Sequence, residues 1–329
     1  MTPRERFNNA LSFQEADRLP IVEWAAWWDK TVGEWHSQGM PVLDFEASLR
    51  YFGLDELHAV LAHTVWKQLP PVEEGKGNVS CAADYEKYRD RFFCDEAIGF
   101  MCGQLQKLKE RHDRGEIIIR MWIDGYFWFP RKMFGIEPHM YAFYDQPELI
   151  HRMNCDLAEF NLKAMRACLT VLKPDFVGYA EDMSYNHGPM LSKKQFDEFL
   201  LPYYKRVNSF LVENDVRVMV DSDGDVTKMI PWLTAAGIEG VYPLERQAGV
   251  DIVEIREKNP RFLMLGGFDK MVMFDGEDAI RREFERILPV MRSGGYIPSM
   301  DHQTPPGVTL ENYKAYVRLF GEYAKKACK

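Results

Sequence analysis

Ionisable side chains stand at the ends of the short apolar runs that divide this 329-residue chain. These side chains are Asp124, Glu181 and Asp182, Asp221 and Asp223, Glu245, Asp269, and finally Asp301 and His302. Carboxyl and imidazole groups that meet in one place can transfer protons or hold a divalent metal ion. Asp also caps the helices that follow such runs, but capping does not readily explain the doubled carboxyl groups. The pattern therefore favours a polar, acidic site.

Alternating strands and helices are expected to bring these strand ends together. From residue 116 onward, β-branched or apolar runs alternate with amphipathic helical segments, which is typical of βα units and a parallel sheet. The predicted strands are 116–124, 175–182, 216–223, 238–245, 262–269 and 296–302. The predicted helices are 146–172, 193–213, 226–236, 251–258, 277–292 and 309–326. In a parallel barrel the carboxyl ends of all strands meet at one mouth, where catalytic residues lie.

The N-terminal third is expected to begin the barrel and to cover its mouth. Thr2 and Glu5 have the spacing of a capping box, which predicts a helix at the start of the chain. Residues 18–23 are predicted as a short strand, and residues 24–110 as an aromatic-rich insertion with helices folded over the barrel mouth. No linker divides the chain, so we predict an α/β fold, a single (β/α)8 TIM-barrel domain over residues 1–329.

Composition and charge argue against several classes of protein. The formal net charge of -9 disfavours nucleic-acid binding, which needs a basic surface. No apolar run approaches the ~20 residues of a membrane span, and the first residues lack the apolar segment of a signal peptide. We therefore expect a cytoplasmic protein without nucleic-acid or membrane partners. The six cysteines form no CxxC pair and are expected to be reduced thiols, not ligands of a metal.

Several segments, taken in order, resemble the uroporphyrinogen decarboxylase-like superfamily, which includes corrinoid-dependent methyltransferases. The segments are TPRERFNNAL, DRLPIVEW, AEDMSYNHGPMLSKKQFDEFLLPYYKRV, VMVDSDGDVTKMIPWLTAAGIEGVYPLERQAGVD, MLGGFDK and GGYIPSMDHQTPPGVTLENY. The resemblance spans essentially the whole chain and is strongest from residue 175 to residue 320. It implies a (β/α)8 barrel with its active site at the carboxyl ends of the strands. It does not select one reaction, because the superfamily catalyses at least two.

The sequence departs from the uroporphyrinogen decarboxylases at residues that would bind their substrate. Those enzymes resemble one another in an Arg-Gln-Ala-Gly-Arg stretch soon after the first strand, whose arginines hold substrate carboxylates. Here the corresponding stretch is Glu23-Trp-Ala-Ala-Trp-Trp-Asp29, without arginine. The later Gln247-Ala-Gly249 belongs to a different strand end. An octacarboxylate tetrapyrrole would meet an acidic mouth, so porphyrinogen decarboxylation is disfavoured.

The sequence also departs from the coenzyme-thiol methyltransferases of the superfamily. These enzymes resemble one another in a His-x-Cys pair and a later Cys, which bind zinc. The resemblance places Asp221 and Asp223 at the positions of the pair, and His302 at the position of the later cysteine. This set of harder ligands could hold Zn²⁺ or another divalent metal as a Lewis acid. The alternative stays open that Asp221 caps a helix or pairs with an arginine, and that His302 only hydrogen-bonds near the following Pro-Pro-Gly turn.

The resemblance and these departures favour methyl transfer from a small methylated substrate, for instance a methoxy-aromatic compound, to the cobalt of a separate corrinoid protein. Asp223 and His302 are the first catalytic candidates, because both follow strands and both match ligand or catalytic positions of the superfamily. Glu181 and Asp182 are further candidates, and an acid such as Glu181 would protonate the leaving oxygen. Adjacent side chains on a strand diverge, so only one of these two can face the site.

Other side chains near the strand ends are candidates for substrate binding. They are Asp124, Tyr126, Trp128, Arg131, Trp24, Trp27, His187 and Glu245. Arg131 would bind a substrate carboxylate or form a salt bridge, and His187 would reach the mouth or stay in its loop. Trp24 and Trp27 would hold an aromatic ring or pack in the core. Glu245 would hold a polar group of the pocket or cap a helix.

Two other functions remain open. One is a lyase that decarboxylates uroporphyrinogen or another carboxylated heterocycle, using Asp223 or a neighbouring carboxyl group without a metal or a partner. The other is a catalytically idle barrel that only binds a small ligand, which the clustered carboxyl groups disfavour. Whether the chain forms a homodimer is also open.

Overall fold

Parallel strands form one curled sheet in the computed structural model, which describes residues 1–328. In chain order the strands are β1 (Glu56–Leu61), β2 (Ile117–Asp124), β3 (Phe176–Ala180), β4 (Ser184–Tyr185), β5 (Gly188–Pro189), β6 (Arg217–Asp221), β7 (Gly240–Tyr242), β8 (Leu263–Phe268) and β9 (Tyr296–Met300). Seven of them form the sheet in the order β1-β2-β3-β6-β7-β8-β9, and β4 and β5 pair separately as an antiparallel hairpin. Every neighbouring pair in the sheet is parallel, so all carboxyl ends lie at one edge.

Helices alternate with these strands. They are α1 (Pro3–Leu11), α2 (Asp29–Ser37), α3 (Phe45–Phe52), α4 (Ala82–Tyr88), α5 (Asp95–Asp113), α6 (Trp128–Phe134), α7 (Ile136–Asp145), α8 (Pro147–Val171), α9 (Lys193–Gln195), α10 (Leu201–Glu213), α11 (Ile230–Ala235), α12 (Ile252–Lys258), α13 (Glu277–Arg292) and α14 (Leu310–Ala327). A π-helical turn over Phe196–Leu200 joins α9 to α10. None of the helices within residues 1–328 combines the length and the apolar character that a membrane crossing needs.

The elements predicted from residue 116 onward are confirmed. The six predicted strands are β2, β3, β6, β7, β8 and β9, and a helix lies in each predicted helical range. Strand β2 is buried along almost its whole length, as expected for a parallel strand that is covered on both faces. The capping box at the start of α1 is also confirmed, since the backbone N–H of Glu5 donates to the hydroxyl of Thr2 at 3.2 Å and Thr2 N–H donates to the Glu5 carboxylate at 2.7 Å.

The structure corrects the prediction that residues 24–110 are only an insertion. Strand β1 lies in the middle of this range and pairs in parallel with β2, from Glu56 beside Ile117 to Leu61 beside Trp122. The sequence hides this strand because Glu56 and His58 interrupt its apolar residues. These two side chains contact each other, with His58 Nε2 3.1 Å from a carboxylate oxygen of Glu56. Other parts of the range do line the cavity described below.

The structure also corrects the strand predicted over residues 18–23, which is irregular. Asp55 N–H donates to the carbonyl of Ile21 at 2.8 Å, just before β1. The N–H of Ile21, however, donates to the carboxylate of Asp55 at 2.9 Å and not to a neighbouring strand. Pro20 has no N–H at all, so a regular ladder of hydrogen bonds cannot form here.

The irregular segment lies between the two edges of the sheet. At its end, the N–H of Trp24 donates to the hydroxyl of Ser299 in β9 at 3.3 Å, and this hydroxyl donates to Glu23 at 3.0 Å. The observed sheet therefore has seven strands, and in place of the eighth strand of the predicted TIM barrel lies an irregular segment held by side-chain hydrogen bonds and a few backbone hydrogen bonds.

Candidate active site

A cavity of about 1200 Å³ opens at the carboxyl ends of the strands. Its lining is rich in carboxyl groups, which belong to Glu23, Asp44, Glu46, Asp124, Asp182, Asp221 and Asp223. Aromatic side chains lie among them, including Trp24, Trp122 and Trp128. The predicted acidic mouth is thus present, and apolar rings form part of its wall.

Three side chains from three different strand ends meet at this mouth. Asp223 follows β6, Glu245 follows β7 and His302 follows β9, and one ligand atom of each lies within 4.8 Å of the others. The carboxylate of Asp223 is 3.6 Å from Nε2 of His302. Glu245 is held in place by the backbone N–H of Gly224, which donates to its carboxylate at 3.0 Å. We call this group the strand-end cluster.

The surroundings of His302 favour its protonated form. The neighbouring carboxylate of Asp223 raises the pKa of His302, and Glu245 adds to the effect, while burial opposes it. The indole rings of Trp24 and Trp28 lie beside the imidazole, with ring centroids 6.0 and 6.4 Å away. The imidazole is therefore positioned by aromatic neighbours and favoured in its charged form by the carboxylates.

Asp182 and Asp221 line the cavity below the strand-end cluster. Burial and the nearby Asp223 raise the pKa of Asp182, whose carboxylate is 3.5 Å from the backbone N of Asp223. Burial also raises the pKa of Asp221 well above its usual value, against the opposing charge of Arg120. The predicted ligand set of Asp221, Asp223 and His302 therefore differs from the observed group, in which Glu245 takes the place of Asp221.

Glu181 is buried and does not line the cavity. Its carboxylate accepts hydrogen bonds from the backbone N–H groups of Tyr126, Phe127 and Trp128 at 2.7, 2.8 and 3.0 Å, and from the hydroxyl of Tyr204. Burial raises the pKa of Glu181 to about 7, although these donors favour the ionised form. These contacts place Glu181 under the loop that leads into α6. The adjacent residue, Asp182, faces the cavity instead.

The candidates after β2 divide between the cavity and its surroundings. Asp124 lines the cavity but is bonded to Lys132 at 2.7 Å, so its charge is already paired. Trp128 lines the cavity as well. Arg131 lies behind it, with its guanidinium carbon 5.3 Å from the ring centroid of Trp128, and donates to the backbone carbonyl of Asp182 at 2.8 Å. Arg131 thus supports the lining and does not belong to it.

The remaining aromatic and histidine candidates are also separated by the fold. Trp24 lines the cavity, whereas Trp27 packs in the core, with its ring 5.7 Å from Trp35. Tyr126 is fully buried among other tyrosine rings. His187 lies in the β4–β5 turn and does not line the cavity.

Several residues of the cavity lining were not among the sequence candidates, and two of them are charged groups inside the sheet or at its edge, Arg120 and Glu23. Arg120 stands in the middle of β2, and Glu23 precedes Trp24 at the edge of the sheet. Burial raises the pKa of Glu23 to about 7, while hydrogen bonds from Tyr313 and Ser299 oppose this increase. The signal for Arg120 was present in the sequence, because it is the only charged residue inside the apolar run Ile117–Ile123.

The sequence matches known proteins over most of its length. Residues 81–323 match the family described as uroporphyrinogen decarboxylase (URO-D). Uroporphyrinogen decarboxylases of Pseudomonas syringae pv. syringae and Cellvibrio japonicus are 27% and 26% identical to it over 187 and 181 residues. These alignments cover 54% and 53% of this chain and 50% and 48% of the relatives. The chain spans about half the length of the curated relatives it matches.

A solved structure has a similar fold. A methyltransferase from Methanosarcina mazei superimposes with a TM-score of 0.68, covering 98% of this chain and 99% of its own, at 15% sequence identity. At this identity the similarity shows a common fold and not a common reaction. With the family match over residues 81–323, these findings establish that the chain belongs to the uroporphyrinogen decarboxylase family.

Proposed function

We propose that this protein transfers a methyl group from a small methylated substrate, such as a methoxy-aromatic compound, to the cobalt of a corrinoid protein. The observation that carries the proposal is the strand-end cluster of Asp223, Glu245 and His302, beside the rings of Trp24 and Trp28. The cluster can assist a leaving oxygen either as a proton donor or by holding a metal ion that binds this oxygen. The cavity is large enough for a small aromatic molecule.

Proton transfer is the contribution that His302 can make on its own. When the bond between the methyl carbon and the ether oxygen breaks, the oxygen keeps the electron pair and needs a proton to become a good leaving group. The imidazolium of His302, which Asp223 stabilises, supplies this proton at the leaving oxygen and regains one from solvent through its exposed edge. A corrinoid on a partner protein would supply the nucleophilic cobalt(I) that accepts the methyl group.

The strand-end cluster also fits a divalent metal ion such as Zn²⁺. Asp223, Glu245 and His302 provide two carboxylates and one imidazole, a donor set that such ions accept, and their ligand atoms are close enough to share one ion. The ion would polarise the leaving oxygen as a Lewis acid. A metal-bound imidazole cannot also be an imidazolium, so metal content distinguishes the two forms of assistance.

The charge of the cavity argues against a porphyrinogen as the substrate. Within residues 1–328 the lining holds seven carboxyl groups but only two lysine or arginine side chains, Arg120 and Lys132. Lys132 is already bonded to Asp124. A substrate with eight carboxylates would therefore meet one cation of the described lining that is not ion-paired, Arg120, and would be repelled by the wall carboxyl groups that are ionised.

A lyase is the second candidate, because the curated relatives are named uroporphyrinogen decarboxylase. In that reaction an acidic side chain such as Asp223 would stabilise the protonated ring of a smaller carboxylated heterocycle. The lyase needs neither a corrinoid nor a metal, so release of carbon dioxide without either would support it.

The test combines metal analysis with an assay of methyl transfer. Tag-free protein is analysed for metals and incubated with a panel of methoxy-aromatic compounds and reduced corrinoid protein, and methylation is followed by absorbance. We expect the demethylated product with the unaltered protein and its loss in Asp223→Ala and His302→Ala. Asp269→Asn is the control, because Asp269 follows β8 but lies outside the cavity lining and bonds Gln247 and Met271.

Each outcome of this test has a definite meaning. About one metal ion per chain that is lost in both variants supports Lewis-acid assistance, and methyl transfer without metal supports the proton donor. Absence of product from the whole panel, with and without added Zn²⁺, would contradict the proposed function.

A further inference from the structure

We propose that Arg120 binds a carboxylate of the substrate at the inner end of the cavity, so that the methyl donor is a small methylated acid. This inference rests on the proposed function, because it names the class of substrate that the same cavity takes. Its experimental test, however, measures binding and does not require methyl transfer.

Arg120 is a buried cation without a carboxylate partner. Its residue is only 3% exposed, and a guanidinium keeps its charge in proteins. Nε and Nη1 of Arg120 make no hydrogen bond within residues 1–328, and no carboxylate of that part of the chain forms an ion pair with it. The rings of Trp122 and Tyr242 lie 5.3 and 5.1 Å from its guanidinium carbon. Such contacts with aromatic rings offset only part of the cost of burying a charge.

Another buried arginine, Arg256, has both terminal nitrogens hydrogen-bonded to backbone carbonyls. Arg256 donates from its two terminal nitrogens to four backbone carbonyls, those of Pro260, Phe262, Gly294 and Gly295. These bonds join the segment after α12 to the start of β9. Arg120 has no comparable set of acceptors, although it is even more deeply buried. A purely structural role therefore does not account for its free donors.

The carboxyl group that could balance the charge of Arg120 is Asp221. Both residues line the cavity, but no oxygen of Asp221 lies within ion-pair distance of the guanidinium in the described part of the chain. The positive charge of Arg120 is therefore not neutralised by an ion pair and is available to an anion that enters the cavity. An anionic ligand would also remove the cost of an unpaired buried charge.

Other free donors surround the guanidinium. The indole N–H groups of Trp24 and Trp122 are buried and have no acceptor within residues 1–328. The ring of Trp24 is 5.7 Å from that of Tyr242, so the aromatic groups follow one another around Arg120. A carboxylate has only acceptor oxygens, with about four lone-pair positions, and matches this set of donors.

The position of Arg120 also fits the direction in which the substrate must lie. Arg120 precedes Asp124, the last residue of β2, by four positions, so its backbone lies further from the mouth than the strand ends do. The strand-end cluster is at the mouth and Arg120 is deeper, so a carboxylate at one end of a flat molecule leaves its methyl ether at the mouth. The aromatic walls accommodate the ring between the two ends.

The experiment compares a methylated acid with its neutral analogue. Dissociation constants of 4-methoxybenzoate, benzoate, acetate and 4-methoxybenzamide are measured by calorimetry, without corrinoid, for the unaltered protein, Arg120→Gln and Arg120→Lys. Arg166→Gln is the control, because Arg166 is an exposed arginine on α8 that stacks on Phe210, and its loss changes the net charge equally. We expect 4-methoxybenzoate to bind at least tenfold more tightly than the amide, and this preference to disappear in Arg120→Gln.

The controls decide the inference even when one variant is unstable. Arg120→Lys keeps a charge but not the planar fork, and we expect it to retain only part of the preference. The inference is overturned if the unaltered protein binds no carboxylate of the series, binds acid and amide equally, or keeps its preference in a folded Arg120→Gln variant. Binding through Arg120 without any methyl transfer would instead support the carboxylate site at Arg120 and remove the proposed function.

Discussion

Nε2 of His302 lies 3.6 Å from a carboxylate oxygen of Asp223, although the two residues follow different strands and are far apart in sequence. The pair forms because parallel strands deliver their carboxyl ends to one edge of the sheet. His302 is an acid whose pKa is raised by this neighbour. Asp223 is half-exposed, and the pair lies at the mouth of the cavity. The catalytic predictions below depend on this pair.

Asp223→Ala is expected to abolish methyl transfer while the fold is retained. Removal of the carboxylate takes away the partner of His302 and one candidate metal ligand, and the rate should fall by about 100-fold or more. Stability should change little, because the side chain is 40% exposed. Initial rates and urea unfolding measure the two effects. Full activity in this variant would remove Asp223 from the mechanism.

Glu181→Gln is expected to destabilise the protein. Three backbone N–H groups and the hydroxyl of Tyr204 donate to the carboxylate, and an amide replaces one acceptor oxygen by a further donor. The free energy of unfolding should fall by about 1–3 kcal/mol. Asp182→Asn is the matched comparison, since its carboxylate makes only one long contact at 3.5 Å. Equal stability of Glu181→Gln and the unaltered protein in denaturant titrations would contradict this role.

Glu23→Gln is expected to change how stability depends on pH. Burial raises the pKa of Glu23 to about 7 from an ordinary value of 4.5, so the folded protein binds a proton that the unfolded chain releases. The stabilisation from the neutral form is fully present below pH 4.5 and is lost as the pH rises to about 7. The side chain in Glu23→Gln stays neutral at every pH, and the variant does not lose this stabilisation. Its free energy of unfolding should exceed that of the unaltered protein by up to about 3 kcal/mol at pH 8, and by less at pH 5.

Unfolding by urea at the two pH values measures this effect. Tyr313 and Ser299 can both still bond the amide, since a hydroxyl either donates or accepts. A difference between the two proteins that is the same at pH 5 and pH 8 would show that Glu23 titrates normally in the folded state.

Trp24→Ala and Trp27→Ala are expected to act on different properties. Trp27 packs against Trp35, Phe52 and Tyr313, so its loss leaves a cavity in the core and should cost about 3–5 kcal/mol of unfolding free energy. Trp24 lines the substrate cavity beside His302, and its loss should mainly raise KM. Steady-state kinetics and denaturant unfolding of the two variants separate the effects. A larger KM change in Trp27→Ala would contradict the observed placement.

The amino-acid sequence alone was enough to predict the elements that carry the site. The alternation of apolar runs with amphipathic segments located β2, β3 and β6 to β9. This was possible because the hydrophobic periodicity of a strand or a helix depends only on residues that are close together in the sequence. The strand-end rule then selected Asp223 and His302, which the structure brings together. The adjacency of Glu181 and Asp182 also correctly indicated that only one of the two side chains would face the cavity, but not which one.

Only the tertiary structure decided the partners of these side chains. Glu181 became a buried acceptor for the α6 loop and Asp124 became paired with Lys132, because hydrogen bonds form with whatever segment packs nearby in space. Glu245 joined the strand-end cluster in place of Asp221 for the same reason. Strand β1 was likewise hidden by the charged residues in its short run. Arg120 was visible as the one charge in an apolar run, but the cavity that it faces is known only from the tertiary structure.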